Sequence, residues 1–142
     1  MRIDTVTLEK DDMDFFAGRI PADVIRNTGE VGFFTIGAVD ETNRLLGVAQ
    51  FCVGTVDKNH SEAGLNYLYV EEKDRNRGVG RTLLSDLISI LKKSGIKRIF
   101  ALPERAYAMD DFFEANGFEN AGSSYRWKGK KLPVCWVRKI TI

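Results

Sequence analysis

The sequence has few of the residues that build disulfide frameworks and metal sites, with 2 Cys, 1 His and 3 Pro among 142 residues. Cys52 and Cys135 lie far apart within apolar, strand-like runs, so they supply neither a redox pair nor a zinc cluster. His60 lies in the polar stretch DKNHSE, and one imidazole without Cys or His neighbours is a weak metal candidate. We therefore expect no metal, and two cysteines that behave as small buried hydrophobic residues.

Long apolar runs and an excess of charge of one sign are also missing. No run approaches the ~20 apolar residues that cross a bilayer, and the start, MRIDTVTLEKDD, alternates apolar and polar residues where a signal peptide would be apolar. Lys plus Arg number 21 against 20 Asp plus Glu, giving a net charge of +1. This balance provides no general attraction to nucleic acid or to an anionic membrane. We expect a cytoplasmic protein that binds neither, with any anion site being local.

What is present is the composition of one globular domain, with 44% hydrophobic and 29% charged residues and no repeats or linkers over residues 1–142. Periodicity predicts a strand, two short helices, a hairpin, another strand, a longer helix, a strand, a shorter helix and a closing antiparallel pair. These elements lie at 2–8, 9–29, 32–56, 63–70, 80–93, 96–102, 106–117 and 118–142. The strand–helix–strand order in the middle indicates a parallel crossover unit. The pattern is typical of an α/β (α+β) fold with a mixed sheet.

The stretch RNRGVGRTLL (75–84) places a glycine-rich turn between the strand at 63–70 and the longer helix. The first amides of a helix lack intrahelical acceptors, and the helix dipole adds partial positive charge at that end. Gly78 and Gly80 carry no side chains that would keep phosphate oxygens from these amides, while Arg75, Arg77 and Arg81 offer charge-assisted contacts. The turn therefore predicts a phosphate site.

Spacing restricts the type of phosphate site. No Walker pattern is present, and the dinucleotide fingerprint fails because Leu83 stands where its third glycine is needed. Taken alone, the turn fits a plain strand-to-helix connection with a solvated face as well as it fits a ligand site.

Two stretches carry a family resemblance. VEEKDRNRGVGRTLL (70–84) resembles the acyl-CoA signature of the GNAT superfamily of N-acetyltransferases, Gln/Arg-x-x-Gly-x-Gly/Ala, at Arg75, Gly78 and Gly80. FFEANGFE (112–119) resembles the later signature of the same superfamily, Tyr-Glu-x-x-Gly-Phe, and the element order matches over nearly the whole chain. The resemblance implies a single GNAT-like domain at 1–142, with six to seven strands flanked by about four helices.

The resemblance also implies an activity and a cofactor. The chain would transfer an acetyl group from acetyl-CoA to a primary amine by direct attack in a ternary complex, so no covalent residue is required. A bulge in the fourth strand would let the pantetheine arm pair with the strand edge, and a backbone N–H near Val70 would polarise the carbonyl. The implied cofactor-binding residues are Leu68, Tyr69, Val70, Arg75, Asn76, Arg77, Gly78, Val79, Gly80, Arg81 and Phe113.

The sequence departs from the family pattern at the catalytic positions. Phe113 stands where relatives often have a proton-donating tyrosine, and Ala106 where many have an asparagine. Tyr107 and Tyr125 are candidate substitutes for the missing acid, although both also fit ordinary packing. Solvent can also protonate a thiolate, because a thiol pKa lies close to neutral. Glu62, just ahead of the fourth strand, is the candidate general base, with a solvated loop glutamate as the alternative.

The sequence leaves two further properties open, the function class with its acceptor and the oligomeric state. The acceptor is a small amine, a polyamine or a peptide amino terminus, and a non-catalytic acyl-CoA-binding sensor of the same fold is the alternative to an enzyme. A nucleic-acid-binding module fits poorly with the balanced charge. The carboxy-terminal run VCWVRKITI is long and apolar, so as an exposed sheet edge it would invite a partner or a homodimer, with a monomer as the alternative.

Overall fold

The computed structural model describes residues 2–53, 62–101, 110–122, 126–127, 130–131 and 135–140. Its strands are β1 (Asp4–Thr7), β2 (Phe33–Val39), β3 (Leu45–Val53), β4 (Glu62–Val70), β5 (Arg98–Ala101), β6 (Glu119–Gly122), β7 (Arg126–Trp127), β8 (Lys130–Lys131) and β9 (Cys135–Lys139). Its α-helices are α1 (Ala22–Asn27), α2 (Val79–Lys93) and α3 (Asp110–Ala115). Two 3-10 segments lie at Lys10–Phe16 and Glu72–Asp74.

Seven strands form one mixed sheet in the order β1-β2-β3-β4-β5-β9-β6, and β7 and β8 form a separate ribbon. Within the sheet, β4 and β5 are parallel and the other neighbouring pairs are antiparallel. The predicted hairpin is β2 and β3, and the predicted crossover unit is β4, α2 and β5. The single-domain α/β fold with a mixed sheet is confirmed.

The sheet separates two hydrophobic cores. Helix α2 covers one face with apolar residues that recur three and four apart in the sequence, of which Leu83, Leu84, Leu87 and Leu91 are buried. The second core lies under α1 and the first 3-10 segment. Side chains alternate along β4 as expected from a period of two: Leu68 and Val70 join the α2 core, while Tyr69 joins the other with Tyr67 beside it.

The carboxy-terminal strand lies inside the sheet. β9 pairs with β5 on one side and with β6 on the other, so the exposed edge assumed for VCWVRKITI is wrong. The apolar character of the strand is explained by its neighbours within the chain, because Trp136 is buried in the α2 core. The exposed edge was the reason to expect a homodimer. The homodimer therefore stays a prediction without that support.

Candidate functional site

The glycine-rich turn has the backbone geometry of an anion site. Asn76 and Gly78 both have left-handed backbones, with φ of 65° and 85°, and α2 begins directly after them at Val79. Asparagine and glycine are the residues that adopt this conformation most readily. The first intrahelical bond runs from the Thr82 N–H to the Gly78 carbonyl at 3.0 Å, so the N–H groups ahead of Thr82 have no acceptor within the helix. Such a turn directs several amides to one place.

A cavity of ≈ 330 Å³ lies over this turn. It joins the end of β4, the turn and the start of α2 to the face of α3. Most of the predicted turn residues line it, and Leu68, Tyr69, Arg77 and Phe113 are not among its lining residues. The lining is Val70, Asp74, Arg75, Asn76, Gly78, Val79, Gly80, Arg81, Phe112 and Asn116.

The three arginines of the turn differ in their surroundings. Arg75 donates from Nε to the Val70 carbonyl at 2.9 Å, and its guanidinium lies 5.6 Å from the centre of the Tyr69 ring. Arg75 therefore holds the turn against the end of β4. Arg77 and Arg81 are exposed, and Arg81 lines the cavity. Arg75 also lines the cavity, so Arg81 is the exposed one of two arginines placed to meet an anion there.

β4 contains a bulge at Asn66. Gln50 of β3 is paired with Tyr67 and Phe51 with Leu65, which leaves Asn66 as the extra residue on β4. A bulge of this kind puts two successive side chains on the same face of the sheet. The bulge implied by the resemblance is therefore present.

Beyond the bulge, the described part of β5 no longer accompanies β4. The parallel pairing runs from Glu62↔Arg98 to Leu65↔Ala101. On the opposite side, the Glu71 N–H donates to the Leu46 carbonyl at 2.8 Å, and antiparallel bonding alternates along a strand. The alternation turns the backbone groups of Leu68 and Val70 toward β5 and those of Tyr69 toward β3. Of the three predicted pantetheine partners, Leu68 and Val70 thus face the side where a pseudo-strand would add.

A buried polar network, which the sequence did not predict, holds the bulge. Gln50 is fully buried and donates from Nε2 to the Val24 carbonyl at 2.8 Å and to Thr35 Oγ1 at 3.0 Å. Asn66 Nδ2 donates to Gln50 Oε1. The bulge is therefore tied to α1 and β2 through side chains whose buried polar atoms are satisfied. The available signal was a glutamine within the apolar run LLGVAQFCV.

A second feature that the sequence did not predict is an ion pair at Asp74, directly before the turn. Asp74 is 1% exposed, and Arg44 donates to both of its carboxylate oxygens at 3.0 Å. The hydrogen bonds from Arg44 hold the pKa of Asp74 below its usual value, against the opposing effect of burial. Arg44 also pairs with Asp40, whose pKa is lowered by the Thr42 hydroxyl hydrogen bond. The signal in the sequence was an acid directly ahead of a basic turn.

The second signature buries Phe113. Its ring is 0% exposed and packs against Phe118 at 5.3 Å and Trp136 at 6.2 Å between ring centres. The neighbouring Phe112 is half-buried and lines the cavity. The structure therefore places Phe113 in the core, and the aromatic face presented to the cavity belongs to Phe112.

Glu62 begins β4 and is paired with Arg98, which donates to Glu62 Oε1 at 2.7 Å from the neighbouring strand. The bulge at Asn66 is four residue steps along β4 from Glu62, about 13 Å at ~3.3 Å per residue. Tyr107, Tyr125, Ala106 and His60 lie outside the described residues.

The helices that the structure describes include none that is long and apolar enough to span a bilayer. Within the same residues, no group of three His, Cys, Asp or Glu side chains is arranged to hold a metal ion.

Comparison with known proteins gives one family and many structural neighbours. The model of the Acetyltransferase (GNAT) family matches residues 4–118. No functionally curated protein matches the chain.

The structural neighbours cover nearly the whole chain at low identity. The N-acetyltransferase YhbS from Escherichia coli, in complex with CoA, has a TM-score of 0.77 at 20% identity over 99% of this chain and 83% of that chain. The PaiA N-acetyltransferase from Thermoplasma acidophilum, in complex with coenzyme A, has a TM-score of 0.69 at 18% identity over 98% and 99%. A ribosomal-protein-alanine N-acetyltransferase from Escherichia coli has a TM-score of 0.73 at 21% identity over 99% and 96%. These likenesses show a shared fold.

Proposed function

Because the chain belongs to the GNAT family of acetyltransferases, we propose that it transfers an acetyl group from acetyl-CoA to a primary amine by direct attack in a ternary complex. The observation that carries this proposal is the continuity of the site. A strand edge that turns backbone groups outward leads directly into a turn of helix amides, at the cavity of ≈ 330 Å³. Acetyl-CoA would fit this order, because the amide groups of its pantetheine arm are followed by its diphosphate.

The residues of this chain fit such a ligand. The N–H groups of Val79, Gly80 and Arg81 at the start of α2 would hold the diphosphate, with the Arg81 side chain adding charge. The backbone of Leu68 and Val70 would pair with the pantetheine arm. Acetyl-CoA supplies the acetyl group as an activated thioester.

The chain has three chemical tasks: to orient the amine, to polarise the carbonyl and to move protons. We assign the second to the Leu68 N–H, because the thioester lies at the end of the pantetheine arm away from the diphosphate and Leu68 is the outward-facing residue nearer the bulge. The Val70 N–H would pair with the pantetheine arm, while the Val70 carbonyl already accepts from Arg75. No side-chain nucleophile takes part in direct transfer. Tyr107 and Tyr125 stay the proposed proton donors for the thiolate, beside solvent.

For the general base we propose Glu62, acting through a chain of several waters, because about 13 Å along the strand to the bulge is more than one water can bridge. Glu62→Gln is expected to lower kcat/KM by about 100-fold, the low end of general base catalysis, and to leave acetyl-CoA binding unchanged. The measurement is the rate as a function of pH with the preferred amine. Arg98→Gln is the matched control, because it breaks the same ion pair and keeps the carboxylate. Equal losses in the two variants would assign Glu62 a structural role only.

A sensor that binds acyl-CoA without turnover is the second candidate, favoured by the buried phenylalanine at the position of the usual tyrosine. Both candidates predict thermal stabilisation by acetyl-CoA, about 2.7 kcal/mol at a concentration 100 times Kd. Release of free thiol on addition of an amine separates them, since only the enzyme produces it. The panel contains small amines, polyamines and peptide amino termini, among them alanine. Stabilisation without thiol release across the panel would reject the transferase.

A further inference from the structure

Among the described residues that line the cavity proposed for the diphosphate, one is acidic. Asp74 lines it together with the amides of the turn, and its side chain is 1% exposed. A carboxylate in this position repels a diphosphate unless another group cancels its charge. A cation paired directly with Asp74 would therefore favour the proposed function.

Arg44 is that cation, and it comes from a different part of the chain. It follows the turn between β2 and β3, 30 residues before Asp74, and is not among the residues that line the cavity. Its two terminal nitrogens each donate to one oxygen of Asp74 at 3.0 Å. A two-bond arginine–carboxylate pair of this kind has a defined orientation and is stronger than a neutral hydrogen bond.

The other charges around this pair are weaker partners or hold Arg44 in place. Asp40 contacts Arg44 Nε at 3.3 Å, and the Thr42 N–H and hydroxyl both donate to Asp40. Lys73 and Arg77 also act on Asp74 through their charges, but both are exposed, so solvent screens them. Direct cancellation of the carboxylate therefore rests on Arg44.

We propose that Arg44 is a positioning residue for cofactor binding, acting through Asp74: it cancels the carboxylate charge from behind the turn, so that the cavity accepts a diphosphate. This inference rests on the proposed function, because it presumes that the cavity holds acetyl-CoA. It assigns a role in cofactor affinity to a residue that does not contact the cofactor.

The test compares acetyl-CoA affinity among four proteins by calorimetric titration: wild type, Arg44→Gln, the double variant Arg44→Gln/Asp74→Asn, and Arg98→Gln. Arg44→Gln is expected to weaken binding by about tenfold, the loss typical of leaving a buried charge without its partner. The double variant removes the carboxylate as well and is expected to recover affinity to within about threefold of wild type. Arg98→Gln removes a paired arginine at the other end of β4 and is expected to leave the affinity unchanged.

Kinetics adds a measurement that a general loss of stability would not reproduce. Arg44→Gln is expected to raise KM for acetyl-CoA, with kcat and the KM of the amine within about twofold of wild type. If Arg44→Gln does not fold, Asp74→Asn alone is titrated and is expected to bind acetyl-CoA at least as tightly as wild type, and a tenfold loss would overturn the proposal.

The outcomes separate the two hypotheses. Absence of acetyl-CoA binding by wild type rejects the proposed function itself. Wild-type binding with an unchanged Arg44→Gln variant rejects the role of Arg44 alone, and so does a double variant as weak as the single one.

Discussion

Gly78→Glu is expected to lower the affinity for acetyl-CoA by about 1,000-fold, because it places a carboxylate among the amides that would hold the diphosphate. Two like charges ~4 Å apart repel by about 4 kcal/mol at an effective dielectric constant of about 20. Among the described residues, a Cβ at Gly78 meets only the Arg81 guanidinium, at 3.9 Å, so direct steric conflict with them is small. The measurement is calorimetric titration with acetyl-CoA.

The backbone at Gly78 needs its own control, because φ is +85° there and any other residue is strained. Gly95, just beyond the other end of α2, has φ of +82°, and no atom of the part of the chain that the structure describes lies within 4 Å of an added Cβ. Gly95→Glu therefore adds the same side chain and a similar backbone strain away from the cavity, and acetyl-CoA affinity should not change. Equal losses in both variants would show that the effect is on stability, and an unchanged Gly78→Glu would remove the turn as the phosphate site.

Phe113→Ala is expected to lower the free energy of unfolding by about 3–5 kcal/mol, the cost of a large cavity in a packed core. The ring is fully buried against Phe118 and Trp136, so neighbouring side chains have little freedom to fill the space. Phe112→Ala is the matched control on the adjacent residue, which is half-buried and should cost clearly less. Urea unfolding of the two variants measures both values.

The same position tests the departure from the family signature. If the missing tyrosine limited turnover, Phe113→Tyr would raise the rate. With the ring in the core, we expect no gain in rate and a loss of about 1–3 kcal/mol of stability, because the new hydroxyl is buried among hydrophobic rings. A faster Phe113→Tyr enzyme of unchanged stability would show that this side chain reaches the thioester.

The features that the sequence predicted correctly follow from local rules. The alternation of Tyr67, Leu68, Tyr69 and Val70 between two cores follows from the period of a strand, and the buried stripe of α2 from the period of a helix. The turn at Gly78 follows from the freedom of glycine at positive φ. Each property depends on residues within one or two turns of chain, so a single sequence contains it.

The features that the sequence did not predict depend on strand order and on pairs distant along the chain. β9 is interior because β6 adds outside it, and nothing within VCWVRKITI distinguishes an inner strand from an edge. Phe112 and Phe113 are identical residues, and the packing of α3 onto the sheet buries one and presents the other to the cavity.

Two polar pairs likewise depend on contacts between residues distant along the chain. Gln50 meets Asn66 across 16 residues and Arg44 meets Asp74 across 30, although each residue read singly is an ordinary polar side chain. Hydrogen bonds and charge compensation depend on which atoms the fold brings within about 3 Å of each other. Local sequence therefore specified the turn proposed to bind the cofactor, whereas the folded chain supplied the arginine that pairs with Asp74 and the side chains that hold the bulge.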